Sequence, residues 1–222
     1  MTNHYIDYGR ARLKRVDVKM AEEQNFNFKL FDLYDVSGIE VKEAGLKRVI
    51  NLEPKLILKS QGRNVKKFGQ CNVNIVERLI NRLHVAGHRN KKNKIALGVN
   101  TGKYAKNAKI VLSAFEMIAK KTGKNPVAVL VEAIEKAAPR DEITVIEYGG
   151  ARYPQAVDIS PIRRVNLVLR YITNAAGDKA FGKKKAIAEA LAEEIMLTAE
   201  GNGESVPLRK KNESEKQADA AR

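Results

Sequence analysis

Two adjacent arginines, Arg163 and Arg164, directly follow the dipeptide Ser160-Pro161. Serine is a favourable helix N-cap and proline suits the first helical position, so these residues predict the start of a helix. Two positive charges here are repelled by the positive N-terminal end of the helix macrodipole. An anion bound beside them would offset this repulsion. The same arrangement recurs where a later helix is expected to begin, at Lys183, Lys184 and Lys185. The chemistry that these residues favour is therefore the binding of phosphate groups.

Residues that could carry out catalysis lack partners of the required type. His84 and His88 are four positions apart and could share a metal ion, but they have no HExxH context and no evident third ligand. Cys71 has no surrounding signature of a nucleophile. The segment 98–103 lacks the Walker spacing, because Tyr104 follows it where serine or threonine is required. We therefore predict that the protein is no enzyme and holds no metal and no cofactor.

The chain is strongly basic, with 41 lysines and arginines against 26 aspartates and glutamates among 222 residues, a net charge of +15. An excess of this size attracts polyanions, of which nucleic acid is the commonest in cells. The charge is also segregated. Residues 78–109 contain nine basic residues and no acidic one, and residues 160–185 contain seven against Asp178 alone. This segregation favours a basic face that binds nucleic acid.

The remaining composition favours a soluble intracellular protein. Hydrophobic residues make up 44% of the chain and aromatic residues 6%, with no tryptophan, so we expect a globular fold with an aliphatic core. Cys71 is the single cysteine, which excludes an intramolecular disulfide and fits a reducing compartment. No segment approaches the ~18 apolar residues of a membrane span, and the basic stretches lack the apolar anchors of a membrane-surface helix. We expect no membrane partner.

The elements that must position these residues are predicted to be mainly helices. Apolar residues at helical spacing predict one short helix and five longer ones, near residues 44–51, 72–87, 106–122, 125–138, 160–176 and 181–198. The charged tail after them is expected to be helical at best. We therefore expect a mainly α fold, a bundle of five to six helices, with a protruding β-hairpin between the third and fourth of the longer helices.

The N-terminal part is expected to differ from the bundle. Residues 1–25 are polar with little periodicity and predict a mobile arm. The alternation of Phe26, Phe28 and Leu30 and the Ser37-Gly38 turn predict a small sheet element. We therefore divide the chain into an N-terminal extension, residues 1–63, and a helical nucleic-acid-binding domain, residues 64–222.

The hairpin is predicted over residues 142–159, where Gly149-Gly150 separates two β-prone runs. Its strands mix polar and apolar residues, so it could lie over the protein or project from it. Tyr148 and Tyr153, beside the turn, could stack on RNA bases. Cross-strand packing of the two rings fits the sequence at least as well.

Three function classes remain open at this point. A non-catalytic RNA-binding structural protein would contact backbone phosphates through its basic face. A DNA-binding regulator with a helix-turn-helix is the alternative, since any pair of short helices imitates that motif. An unrecognised nucleic-acid enzyme would need a convergent carboxylate or histidine site, for which the sequence offers no clear candidate. We favour the first class.

Four segments in order resemble a known family: VKKFGQCNVNIVERLINRL, KNAKIVLSAFEMIAKKTGKNPVAVLVEAI, PRDEITVIEYGGARYPQAVDISPIRRVNLVL and KKKAIAEALAEEIMLTAEG. They are similar to small-subunit ribosomal protein seven. The long N-terminal extension and the NPVAVLVEAI segment resemble its archaeal and eukaryotic branch. The resemblance covers residues 64–222 well and residues 26–52 more loosely.

The resemblance implies a helical bundle with a protruding β-ribbon, located in the cytoplasm as part of the ribosome. It implies a primary binder of the 3′ major domain of small-subunit ribosomal RNA that nucleates assembly of the head. The ribbon is expected near the exit-site transfer RNA and the messenger RNA exit path, beside small-subunit ribosomal protein eleven. By position, it implies these RNA-binding residues: Lys66, Lys67, Arg89, Lys91, Lys92, Lys94, Lys103, Lys106, Arg152, Arg163 and Arg164. The chain departs from the family pattern at one place, because Tyr104 follows Gly102-Lys103 and the loop before it is longer. The RNA contact that this loop makes therefore stays open.

Overall fold

The computed structural model describes residues 29–55, 58–59, 65–83 and 103–222. Within them the chain forms seven α-helices: α1 (Ala44–Lys47), α2 (Ile75–Leu83), α3 (Tyr104–Thr122), α4 (Pro126–Ala137), α5 (Pro161–Ala180), α6 (Ile187–Glu200) and α7 (Val206–Ala220). A 3₁₀ helix, Gly69–Asn72, precedes α2. One antiparallel hairpin lies between α4 and α5, with strands β1 (Asp141–Tyr148) and β2 (Ala151–Asp158). The predicted mainly α fold is confirmed. None of the described helices has the length and apolar character needed to span a bilayer.

The core lies where the apolar faces of the longer helices meet around α6, which packs against α3, α4 and α5. Leu191 and Ile195 of α6 are fully buried, and so are Phe115 of α3, Leu130 of α4 and Ile172 of α5. Each such side chain stabilises the fold by about 1.5–3 kcal/mol when buried. These residues recur at helical spacing in the sequence, which is why the helices and their inward faces were predictable.

The N-terminal part packs on the same core as the bundle. Leu30, Leu46 and Leu58 are completely buried in the core cluster that also contains Phe115. The Tyr34 ring meets the Phe115 ring edge-on at a centroid distance of 5.9 Å. The described residues of this part, 29–55 and 58–59, thus have no separate core, and the division of the chain at residue 63 stays a prediction.

The predicted sheet element near residue 30 is wrong for the described residues. Of its residues, Phe26 and Phe28 lie outside the described part, and residues 29–43 form only an isolated bridge between Leu30 and Tyr34. The chain reverses between these two residues, where Phe31 and Asp32 have positive φ values of 53° and 61°. From this turn to the start of α1 the described residues form no strand.

The hairpin projects from the bundle and is anchored only at its base. Gly149 and Gly150 have φ values of 57° and 81°, as a tight primed turn requires. Residues 144–155 are exposed throughout, whereas α7 packs against the base of the hairpin. There Ser214 Oγ donates to the Asp141 carbonyl at 3.1 Å, and Arg222 pairs with the Asp141 carboxylate at 2.7 Å. The charged tail is therefore a helix that supports the hairpin.

Candidate nucleic-acid interface

An open cleft of about 620 Å³ lies between the segment 66–70 and the N-terminal half of α5. We call it the α5 cleft. The side chains that define it are Lys66, Phe68, Gln70, Arg163, Asn166 and Arg170. The spacing of Arg163, Asn166 and Arg170 places them on one polar face of α5, opposite the face that enters the core. The cleft is therefore basic on the helix side and on the loop side.

A smaller recess of about 270 Å³ lies between α2 and α5 and shares Gln70, Asn166 and Arg170 with the cleft. We call it the arginine recess, because Arg78 and Arg82 of α2 also line it. These two residues are one helical turn apart, so both face α5 from the same side of α2. The packing of α2 on α5 thus brings three guanidinium groups to one concave site.

Arg78 is the most buried of the three, with 4% of its surface exposed. Its Nη1 donates to the Val49 carbonyl at 2.9 Å and its Nη2 to Asn166 Oδ1 at 3.0 Å, while its buried Nε has no hydrogen-bond partner. No carboxylate of the described residues pairs with it. Burial lowers the pKa of Arg78 to about 10, so the group is still charged at neutral pH. A buried charge without a counter-ion is unfavourable, and an anion from outside would compensate it.

Arg82 and Arg170 add a second positive feature to the recess. Burial lowers the pKa of Arg82, and the charge of Arg170 lowers it further. Among the described residues neither arginine has a carboxylate partner. Like charges held together repel each other, and that repulsion is relieved when a bound anion lies between them. The recess therefore has the electrostatics of a phosphate-binding site.

Asn166 holds the walls of the site in place. Its Oδ1 accepts the hydrogen bond from Arg78, and its Nδ2 donates to Gln70 Oε1 at 3.1 Å. One α5 side chain therefore links α2 to the 3₁₀ helix. The start of α2 is fixed in addition by Asn74, whose Oδ1 accepts from the Val76 N–H at 2.9 Å and whose Nδ2 donates to the Glu53 carbonyl. The site is built on rigid elements, which favours binding without prior ordering.

The two arginines at the start of α5 are neutralised by the protein itself. Arg163 makes a bidentate pair with Glu142 of β1, at 2.6 and 2.8 Å, and this hydrogen bonding raises the pKa of Arg163. Arg164 pairs with Glu43 at 2.6 Å. The expected anions at this helix start are thus two carboxylates of the chain. Ser160 occupies the N-cap position, although its side chain makes no capping hydrogen bond.

Arg164 is buried, and its RNA contact, which the resemblance implies, stays a prediction. It is 8% exposed, and its Nε and Nη2 donate to the carbonyls of Pro139 and Ala138. These partners are distant from Arg164 in the sequence. The local sequence pattern therefore does not reveal that its side chain is buried. Arg163 is half exposed and lines the α5 cleft. Its RNA contact stays a prediction, and an RNA phosphate would have to compete with Glu142 for the guanidinium.

The remaining predicted cations divide into three groups. Lys185 pairs with Glu193, and exposed Arg152 lies 3.7 Å from Glu147. Six exposed lysines make no ion pair within the described part of the chain: Lys66, Lys67, Lys103, Lys106, Lys183 and Lys184. Of these, Lys66 lines the α5 cleft. Four predicted residues lie outside the described residues: Arg89, Lys91, Lys92 and Lys94.

Both hairpin tyrosines are open to solvent. Tyr148 is 81% exposed and Tyr153 59% exposed. In the strand register Tyr148 lies opposite Ala151, and Tyr153 lies opposite Ile146. The two rings are therefore not directly opposed, and base stacking by either stays a prediction.

Six residues of the site were not among the predicted binding residues: Phe68, Gln70, Arg78, Arg82, Asn166 and Arg170. Arg78 and Arg82 stand in the acid-free segment 78–109, and Arg170 stands in the segment 160–185, which has Asp178 as its single acid. This excess of basic residues was the signal that could have identified the three arginines. Nothing in the sequence marks Phe68 as exposed, because an aromatic residue is more often buried. His84 and His88 lie outside the described residues, within which no cluster of histidine, cysteine and acidic side chains could hold a metal ion.

The family model described as "Ribosomal protein S7p/S5e" matches residues 46–222. A protein of Nanoarchaeum equitans is 46% identical over 195 residues, 87% of this chain and 98% of the relative. A protein of Cenarchaeum symbiosum is 43% identical over 204 residues, 91% of this chain and 100% of the relative. Both relatives are named "Small ribosomal subunit protein uS7".

The predicted family and the predicted absence of enzymatic activity agree with these matches, which cover most of the chain. The chain therefore belongs to the ribosomal protein S7p/S5e family, a family of structural, non-enzymatic proteins of the small ribosomal subunit.

Proposed function

We propose that this protein binds small-subunit ribosomal RNA in cytoplasmic ribosomes, as a primary binder of the 3′ major domain that nucleates assembly of the head. One observation carries the RNA-binding part: Arg78 is buried beside Arg82 and Arg170 in a recess where no described carboxylate compensates them. The net charge of +15 and the family membership support it. The partner that supplies the missing anions is the phosphate backbone of RNA.

The mechanism is phosphate neutralisation on a preformed scaffold. Lys66 and Arg170 line the open α5 cleft, from which the arginine recess continues inward. Each phosphate that binds there releases condensed counter-ions, so affinity falls as salt concentration rises. Because α2 and α5 are packed before RNA arrives, binding requires little ordering of the protein.

The hairpin has a separate role in this proposal. We place its tip near the exit-site transfer RNA and the messenger RNA exit path, beside small-subunit ribosomal protein eleven. The support is its form: the base is held by α7, and the tip presents exposed Val145, Tyr148 and Tyr153. An apolar surface on a projecting ribbon is typical of a contact with a macromolecule.

The test is binding of the full chain to transcripts of the separate domains of small-subunit ribosomal RNA. The 3′ major domain is expected to bind more tightly than the 5′ domain or a duplex DNA of equal length. With six or more phosphate contacts, log K should fall against log[salt] with a slope of about −4 or steeper. Equal affinity for all three nucleic acids would contradict the proposal, and a slope near zero would contradict its electrostatic basis.

The recess is tested by comparing Arg170→Ala with Arg209→Ala. Arg170 lines both concavities, whereas Arg209 is an exposed residue of α7 that lines neither. The Arg170 variant is expected to bind the 3′ major domain more weakly and with a shallower salt slope. Equal affinities of the two variants would contradict the assignment of the recess.

A further inference from the structure

An exposed aromatic ring, Phe68, stands at the rim of the α5 cleft. Solvent reaches 66% of the surface of Phe68. It follows Lys66 and Lys67, and the Lys67 ammonium lies 5.5 Å from the ring centroid. An exposed ring of this size gains little from burial, so its presence beside a basic cleft suggests a ligand that uses the ring.

The backbone at Phe68 is in a conformation that a bulky residue rarely adopts. Its φ and ψ are 62° and 10°, in the left-handed region. Two hydrogen bonds hold it there: Gly69 N–H to the Lys66 carbonyl at 2.8 Å, and Cys71 N–H to the Phe68 carbonyl at 3.0 Å. This turn directs the chain into the 3₁₀ helix and leaves the ring at the cleft. Such outliers concentrate at binding sites.

The groups around Phe68 match the parts of one nucleotide. An aromatic face accepts a base by stacking, and this is how proteins commonly hold unpaired RNA bases. The Gln70 side-chain amide lies in the same cleft and is exposed, so its N–H groups can bond the edge of a base. Lys66 and Arg170 provide cations for the adjoining phosphate. The cleft volume of about 620 Å³ is in the ordinary range for sites that take small ligands.

We infer that the α5 cleft binds a single unpaired nucleotide of the RNA, with its base stacked on Phe68, its edge at Gln70 and its phosphate at Arg170. This inference rests on the proposed function. In addition to the contacts with backbone phosphates, it assigns a site that binds an unpaired base. It also assigns the stacking role to a residue of the bundle, independently of the hairpin tyrosines.

The experiment uses the full chain with two probes: the 3′ major domain transcript and a single-stranded oligoadenylate that carries one fluorescent 2-aminopurine. Stacking of 2-aminopurine on an aromatic ring quenches its fluorescence. The variants are Phe68→Leu, which removes the ring, and Phe68→Tyr, which keeps it. Phe181→Leu is the control, because Phe181 is 54% exposed but does not line the cleft.

The Phe68→Leu variant is expected to bind both probes about tenfold more weakly, the ordinary effect of losing one stacked base. Its 2-aminopurine quenching should also be lost. Phe68→Tyr and Phe181→Leu should remain close to the wild type. Wild-type affinity and quenching in Phe68→Leu would overturn the inference.

A third variant separates binding from folding. Glycine adopts the left-handed region without strain, so Phe68→Gly should lose RNA affinity while its thermal unfolding midpoint stays equal or rises. A lower midpoint with full RNA affinity would show that Phe68 is structural and would overturn the inference. Failure of the wild type to prefer the 3′ major domain would reject the proposed function, whereas a Phe68-dependent quench of the oligonucleotide would still support the stacking site.

Discussion

The Arg164 guanidinium pairs with the Glu43 carboxylate at 2.6 Å, although 121 residues separate them in the chain. Arg164 Nε also donates to the Pro139 carbonyl at 2.9 Å. One side chain therefore joins the start of α5, the residue before α1 and the segment that leads from α4 into the hairpin. The position of Arg164 in the sequence, just after a helix N-cap, indicates phosphate binding. In the folded protein Arg164 instead connects three segments of the chain.

Replacing Arg164 by alanine is expected to destabilise the fold. The change leaves the buried carbonyls of Ala138 and Pro139 without donors and Glu43 without its partner, and loss of one buried partner costs about 1–3 kcal/mol. Urea unfolding followed by circular dichroism measures this difference. Arg163→Ala is the matched control and should change stability by about 0.5 kcal/mol or less, since its pair with Glu142 is half exposed. Equal losses in the two variants would contradict the structural role of Arg164.

The three lysines before α6 are expected to differ in their contribution to RNA binding. Lys184 is exposed and has no ion pair among the described residues, whereas Lys185 is paired with Glu193. Lys184→Ala should make the salt slope of RNA binding shallower by about 0.7, the effect of one lost phosphate contact. Lys185→Ala should change the slope less, because its charge is already partly neutralised. Filter binding over a range of salt concentrations measures both slopes. A larger change of slope in Lys185→Ala than in Lys184→Ala would contradict the prediction.

Glu194 is expected to be the most sensitive acidic residue of the bundle. It is fully buried, pairs with Lys179 at 2.5 Å, and accepts the Val206 N–H at the start of α7 at 2.8 Å. Glu194→Ala should destabilise the fold by about 3 kcal/mol, because a buried partner and a cap of α7 are lost together. Calorimetry of this variant beside Glu193→Ala, whose side chain is only partly buried, measures the effect. A loss no larger than that of the control would contradict it.

The Lys185–Glu193 pair predicts a dependence of stability on pH. The hydrogen bond from Lys185 lowers the pKa of Glu193 below its ordinary value of 4.5. A carboxyl whose pKa is lowered by folding stabilises the protein above its unfolded pKa, and this contribution is lost as the pH falls through the folded pKa. The wild type should therefore be more stable than Lys185→Met at pH 7, and the difference should shrink below pH 4.5 and vanish once the pH is below the folded pKa of Glu193. Thermal unfolding of both proteins across this range checks the sign, and a difference that grows in acid would refute it.

The hairpin tip is expected to be dispensable for folding. Residues 144–155 are exposed, and the contacts that anchor the hairpin involve Asp141 and α7. Replacing residues 145–154 by a short glycine-serine turn should change the free energy of unfolding by about 0.5 kcal/mol or less. Chemical denaturation measures this. Loss of cooperative unfolding would show that the tip is part of the core.

The helices and the hairpin could be predicted because local chemistry determines them. Apolar residues such as Leu130 and Ile134 recur at helical spacing, and Gly149-Gly150 suits the turn between two β-prone runs. These signals depend on neighbours within a few positions, so one sequence is sufficient to read them. The excess of positive charge is likewise a property of composition, and it indicates a polyanionic partner before any fold is known.

Which cations remain available for RNA was decided only by the tertiary structure. Arg164 and Lys185 look alike in the sequence to Arg170 and Lys184. The first two meet carboxylates of their own chain, whereas the second two meet none in the part of the chain that the structure describes. Arg78 and Arg170 come from distant segments and share a recess only because α2 packs on α5. The exposed, left-handed Phe68 is set by a turn that no residue preference predicts. The physical reason is that ion pairing and burial depend on contacts distant in sequence, whereas periodicity and turn preference do not.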